Sequence, residues 1–305
     1  MAVKFVFLIL PGVHLMDLAG PDQTIHEAID FGADFKIEYC GTGAAVTSSA
    51  GLNIKRPLLY SKIKFSKGDY LIIPGAKVDY LLSPGFKSNK PLFDWLRKCH
   101  EQQVNLVSIC AGAFVLAQAG LLNGINCTTH FKQTKNLQTL YPAAIVNENS
   151  LFEERDGIYT SAGIASGIDL MLHIIEKLEG SYFTHKVARE LVIYNRRDGK
   201  QEQLSVFMQF RNHIHAGIHK AQDHIVEHIH KRQGIAALSL IANMSERNFT
   251  RTFKKETGIT VMNYINSVRK EVIQNLMKNK DLNYSQAAAK VGLESEKQVR
   301  RILTS

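Results

Sequence analysis

The hydrophobic period of the chain changes once, and that change limits what it can fold into. Up to residue 196, short apolar runs at 3–10, 35–39 and 70–73 alternate with helix-period stretches such as 17–29. From residue 214 the runs stop, and apolar residues recur at Ile214, Ile218, Ile225 and Ile229, a helical stripe without strand alternation. Strands alternating with helices imply a mostly parallel sheet covered on both faces. The pattern therefore predicts an α/β domain followed by an all-α domain. A length of 305 residues suits two domains, each with its own core. The expected boundaries are 1–196 for the first, 197–213 for a polar linker and 214–305 for the second.

Charge divides at the same place. Residues 1–196 carry 19 Lys+Arg against 18 Asp+Glu, net +1, whereas residues 197–305 carry 18 against 10, net +8. A basic module joined to a neutral one suggests a polyanion partner for the second domain. Four cysteines without a C-x-x-C pairing indicate neither a disulfide framework nor a zinc ribbon, which points to a reducing cytoplasm. The apolar run Phe5 to Leu10 is followed by Pro11-Gly12 and reads as a strand rather than a signal peptide. No stretch approaches the roughly 18 apolar residues of a membrane span, so a soluble protein without a membrane partner is expected.

Within the first domain the clearest unit is the apolar run 104–109, then Cys110-Ala111-Gly112-Ala113, then a helical pattern over 114–119. A residue on such a strand-to-helix turn projects from the carboxyl edge of the sheet, where open α/β folds build their sites. Small neighbours permit the tight turn. A thiol facing the positive end of the helix dipole is expected to have a lowered pKa, which makes Cys110 the nucleophile candidate of the chain. A buried, inert cysteine is the competing reading.

The segment 108–114 (Ser-Ile-Cys-Ala-Gly-Ala-Phe), with Ala119-Gly120-Leu121-Leu122-Asn123-Gly124 and Thr128-Thr129-His130, resembles the ThiJ/PfpI group. Leu15-Met16-Asp17-Leu18-Ala19-Gly20-Pro21 and the segment 160–170 (Thr-Ser-Ala-Gly-Ile-Ala-Ser-Gly-Ile-Asp-Leu) are similar to its regulator-associated, GlxA-type branch. The resemblance spans about residues 3–196 and implies a parallel-sheet sandwich. It places Asp17 beside Cys110, as the carboxylate that hydrogen-bonds the elbow thiol. Members with protease or glyoxalase-like activity carry a His directly after the cysteine, and here that position is Ala111, which removes the obvious general base. The Asp-plus-Cys pair, like the Thr-Thr-His segment, resembles isocyanide hydratase. Two functions follow: a pocket that binds a small-molecule effector through Asp17, Cys110, Ala111, Gly112 and His130, or a cysteine-dependent hydratase or amidase-like enzyme. Amide donors at a helix start favour an anionic or carbonyl-bearing ligand. His130 reads equally as a structural residue.

In the basic domain, a helical run at 236–242, a break at Asn243-Met244 and a second helix opening at Ser245 have helix-turn-helix form. Phe249 and Phe253, four apart, take the core face and leave Glu246, Arg247, Thr250, Arg251 and Lys254 outside. The unit partly repeats at 284–293, with 295–303 as a second outer helix. Thr250-Arg251-Thr252-Phe253-Lys254-Lys255, Thr257-Gly258-Ile259-Thr260 and Ala289-Lys290-Val291-Gly292-Leu293 resemble the AraC/XylS family of transcription regulators. That resemblance implies double-stranded DNA as partner and a homodimer. It assigns base reading to Arg247, Thr250 and Arg251, and to Glu296, Lys297, Arg300 and Arg301 in the second unit. Lys254 joins the first set as a phosphate contact. Val299 and Leu303 stand where the family has aromatics, so Lys297, Arg300 and Arg301 are expected to serve phosphates.

Six of the twelve histidines lie between His213 and His230, with i,i+4 pairs His215/His219 and His224/His228. Such pairs can chelate a metal, but the stripe puts His224 and His228 on a solvated face, and neither metal nor cofactor is expected. The sequence thus reads as a DNA-binding transcription regulator controlled by a small molecule, with the enzyme as alternative.

Overall fold

The computed structural model describes residues 2–304 apart from 44, 56, 164, 194–198, 200–205, 212 and 278–281, with the backbone alone at 207 and 208. The chain divides into two compact units, residues 1–203 and 204–305. Most of the segment expected as a linker lies outside the described residues. Its described end includes a helical turn, Val206–Gln209, whose Val206 is buried in the core of the second unit.

The first unit is built on a seven-stranded sheet. Its strands are β1 (Val3–Ile9), β2 (Phe35–Gly41), β3 (Leu58–Leu59), β4 (Tyr70–Ile73), β5 (Asn105–Ile109), β6 (Phe152–Arg155) and β7 (Ile158–Ser161). Their spatial order is β6-β7-β5-β4-β1-β2-β3, and all neighbours are parallel except the β6/β7 edge hairpin. Phe5 to Ile9 and all of β4 are buried, because a parallel sheet flanked by helices leaves neither side chain row in water. Three helices pack together: α1 (Leu15–Asp30), α4 (Ala165–Glu179) and α5 (Ser181–Glu190). α2 (Lys90–Glu101) packs on α3 (Ala113–Gln118) and β5.

The strand order places the site. From β1 the chain steps one way to β2, and from β4 it steps the other way to β5. Right-handed crossovers in opposite directions put α1 and α2 on opposite faces. They also open a crevice between the carboxyl ends of β1 and β4, where doubly wound sheets bind ligands.

The second unit is all-helical among its described residues. After the Val206–Gln209 turn, taken as α6, come α7 (Ala216–Glu227), α8 (Ile235–Ile241), α9 (Glu246–Thr257), α10 (Val261–Leu276), α11 (Tyr284–Lys290) and α12 (Glu296–Thr304). Two small cores hang on α10. Ile218, Ile225, Leu238, Phe249, Phe253 and Tyr264 form one, and Ile273, Ala288, Val291, Val299 and Ile302 form the other. Ile214 does not belong to the stripe predicted for it. The helix starts only at Ala216, capped by His215 Nδ1 accepting from the Ile218 amide, and Ile214 stands 99% exposed before the cap.

No helix among the described residues is long and apolar enough to cross a membrane. All four cysteines are free and buried.

Candidate functional site

Cys110 sits on a single 3-10 turn, Cys110–Gly112, between β5 and α3. Its φ is +54°, a left-handed conformation that costs a β-carbon-bearing residue roughly 1–3 kcal/mol and persists where the surroundings enforce it. Two contacts do so. Thr129 Oγ1 donates to the Cys110 carbonyl at 2.7 Å, and Gly163, itself at φ +100°, lies so close that an added Cβ would stand 2.3 Å from Cys110 Cβ. Thr129 is positioned in turn by its neighbour, since the Thr128 amide donates to Thr160 Oγ1 at 2.8 Å. The Thr-Thr-His and Ser-Ala-Gly segments therefore form the walls that hold the elbow.

Asp17 arrives from the first turn of α1, fully buried, and forms a hydrogen bond with the Cys110 thiol. The lowered thiol pKa expected from the helix dipole is not what the surroundings produce. Burial pushes the Cys110 thiol up, the Asp17 carboxylate adds to the rise, and only the Ala111 amide opposes them. The resting group is a neutral thiol donating to Asp17. That amide is engaged by the sulfur, and Gly112 is packed against the Ile73 carbonyl, where a Cβ would stand 2.1 Å away.

His130 lies within electrostatic reach of Asp17 and His14, and burial lowers its pKa first, with Lys132 adding to the fall. Its Nδ1 also accepts from the Lys132 amide at 3.4 Å, a contact within its own loop. Sequence reasoning missed His14, whose Nδ1 stands 3.5 Å from Asp17 Oδ2. The available signal was its place three residues before Asp17 at the start of a helix. A separate cavity of about 380 Å³ is lined by Leu15, Leu18, Asp22, Tyr39 and Leu52 and does not include Cys110.

In the second unit, α8 turns through Asn243, at φ +54°, into α9, where Ser245 Oγ accepts from the Asn248 amide. Arg247, Thr250, Arg251 and Lys254 are all exposed, on the face opposite the fully buried Phe249 and Phe253. Arg251 Nη2 donates to Asn248 Oδ1 at 3.1 Å, which orients the guanidinium along the helix.

The second helix-turn-helix runs from α11, closed by a capping box between Asn283 and Gln286, to α12. Glu296, Lys297, Arg300 and Arg301 are exposed, and the Arg300 guanidinium lies over the Tyr284 ring, 4.8 Å from its centre. Its turn is held from outside. Arg269 on α10 is 8% exposed and donates from Nε to the Val291 carbonyl at 2.9 Å and from Nη2 to the Gly292 carbonyl at 3.4 Å. Gly292, at φ +66°, passes so close to the His230 carbonyl that a Cβ would stand 2.8 Å from it.

Residues 3–177 match the DJ-1/PfpI family. The chain belongs to that family. To this DJ-1/PfpI domain it adds a match to the helix-turn-helix domain over residues 238–304, which together correspond to the two resemblances of the sequence. The chain is 28% identical over 301 residues to the HTH-type transcriptional regulator CdhR of Pseudomonas aeruginosa, covering 97% of this chain and 86% of that protein. It is 31% identical over 181 residues to the isonitrile hydratase of Pseudomonas putida, covering 59% of this chain and 74% of the enzyme. Among solved structures, an AraC family transcriptional regulator from Pseudomonas putida superposes with a TM-score of 0.53 at 21% identity, over 62% of this chain and 99% of that one. At that identity the superposition speaks for the fold of the DJ-1/PfpI domain.

Proposed function

We propose that this DJ-1/PfpI protein is a sequence-specific DNA-binding transcription regulator whose first domain binds a small-molecule effector at the Cys110 elbow. The observation that carries the reading is α9. It is a helix capped at both ends and anchored by Phe249 and Phe253, and its outer face presents Arg247, Thr250, Arg251 and Lys254 to solvent. A helix of this kind after a tight turn fits a major groove, where arginine reads guanine edges and lysine neutralises phosphate. Similarity to CdhR along nearly the whole chain supports the same reading. In the second unit Lys297, Arg300 and Arg301 contribute phosphate contacts, consistent with Arg300 lying along the Tyr284 ring. The regulator acts as a homodimer on paired half-sites in the cytoplasm.

The effector contacts Asp17, Cys110, Ala111, Gly112 and His130, without turnover. A hydratase reading has the similarity to isonitrile hydratase and the Asp17–Cys110 pair behind it. Against it stand a neutral, buried thiol and Ala111 in the position of the usual base.

Fluorescence anisotropy of the full chain on DNA from its own upstream region, against scrambled DNA across a salt titration, tests the proposal. A specific complex at least ~10³-fold tighter than the scrambled control is expected. Equal, steeply salt-dependent binding to both sequences would refute base reading.

A further inference from the structure

The elbow holds a donor set that shares Asp17 and Cys110 with the proposed effector site and adds His14. His14 Nδ1, an Asp17 carboxylate oxygen and Cys110 Sγ all lie within 4.8 Å of one another. His14 and Asp17 are already at 3.5 Å, brought together at the first turn of α1, while Cys110 comes from the far side of the crevice, after β5. We propose that His14, Asp17 and Cys110 form a binding site for a thiophilic divalent cation of the zinc type.

The donor chemistry selects the ion class. One imidazole nitrogen, one carboxylate oxygen and one sulfur suit borderline-soft Zn²⁺, whereas Mg²⁺ and Ca²⁺ demand oxygen. Tetrahedral ligands at about 2.0–2.3 Å from such an ion stand roughly 3.3–3.7 Å from each other, so the His14–Asp17 pair needs no movement and the sulfur at most about 1.5 Å. Charge favours the same occupant: a dication with one thiolate and one carboxylate is neutral, which is the condition for burying the ensemble. The Ala111 amide on the sulfur supplies an outer-shell hydrogen bond. The His14 side chain is 39% exposed and Asp17 is fully buried, so the cation enters past His14, and a fourth coordination position is left there for water or a ligand atom.

Binding is a substitution without electron transfer. The Cys110 S–H bond breaks and its proton leaves to solvent. A sulfur–metal bond forms, and lone pairs of Asp17 and His14 displace waters from the hydrated ion. About one proton is released per cation bound.

Co²⁺ added to the full chain after treatment with a chelator tests this. A single Co²⁺ is expected to give tetrahedral visible absorption with a near-ultraviolet thiolate-to-cobalt charge-transfer band, both lost on adding Zn²⁺. The charge-transfer band separates this site from the histidines between 213 and 230, which offer no sulfur. Cys110→Ser should abolish the band. His14→Gln, at a half-exposed position that leaves the core intact, should weaken Co²⁺ binding at least ~10-fold, the scale seen for loss of even an outer-shell partner. Absence of the band in the unmodified chain, its persistence in Cys110→Ser, or unchanged affinity in His14→Gln would each overturn the proposal. The regulator reading stands or falls separately on DNA anisotropy, which the band does not measure.

Discussion

Arg269→Met tests whether one buried cation holds the second helix-turn-helix together. The Nε bond to Val291 is short, and a hydrogen bond from a charged donor contributes about 1.5–3 kcal/mol. The Nη2 bond to Gly292, at 3.4 Å, adds little. Methionine keeps most of the stem, so the packing loss is minor, but two turn carbonyls lose their donor. Burial already lowers the Arg269 pKa, so removing the cation recovers part of a desolvation cost, and the net loss comes to about 2 kcal/mol. Trp95, the one tryptophan, lies in α2 of the first unit, so its fluorescence follows that unit. Helical ellipticity lost without a fluorescence change follows the second. In urea, with a slope of about 1–1.5 kcal/mol/M for a unit of this size, the second transition should fall by about 1.5 M while the Trp95 transition stays in place. An unmoved ellipticity transition, or an equal shift in both, would show that Arg269 does not hold the turn.

Three other perturbations separate the remaining roles. Arg251→Ala should cost about 1–3 kcal/mol on specific DNA and little on scrambled DNA, whereas Lys254→Ala should weaken both alike and reduce the salt slope by about one; equal losses on both sequences for Arg251→Ala would remove it from base reading. Gly163→Ala forces a Cβ to 2.3 Å from Cys110 Cβ at a positive φ and should lower first-unit stability by about 3 kcal/mol in the Trp95 urea transition; an unchanged midpoint would mean the elbow is not held by this contact. Burial lowers the His213 pKa first, and His219 and His215 lower it further against Glu256 and Gln222. The unfolded chain then binds more protons below pH ~6.5, so second-unit stability should fall as pH drops through that range. His213→Gln should flatten the fall seen by ellipticity, and an identical fall in the variant would exclude His213 as its source.

What the sequence made legible was whatever depends on neighbours along the chain. The run 104–109 with its small following residues specifies strand, turn and helix locally, and Phe249 and Phe253 specify the outer face of α9 through a four-residue spacing. What it hid depends on contacts made across the fold. The helix dipole favours a thiolate at Cys110 locally, but the sulfur is buried against Asp17, 93 positions away, and that outweighs the dipole. The Ile214 periodicity was real too, yet a cap at His215 ends the helix before it can use that residue. Arg269 is the sharpest case. A cation in a basic, DNA-binding module reads as another contact for phosphate, and only the positions of Val291 and Gly292, more than twenty residues on, show that this charge is spent inside the protein. Net charge therefore overstates the surface such a module offers to DNA, and the salt slope should be compared with the exposed cations of α9 and α12 rather than with the domain total.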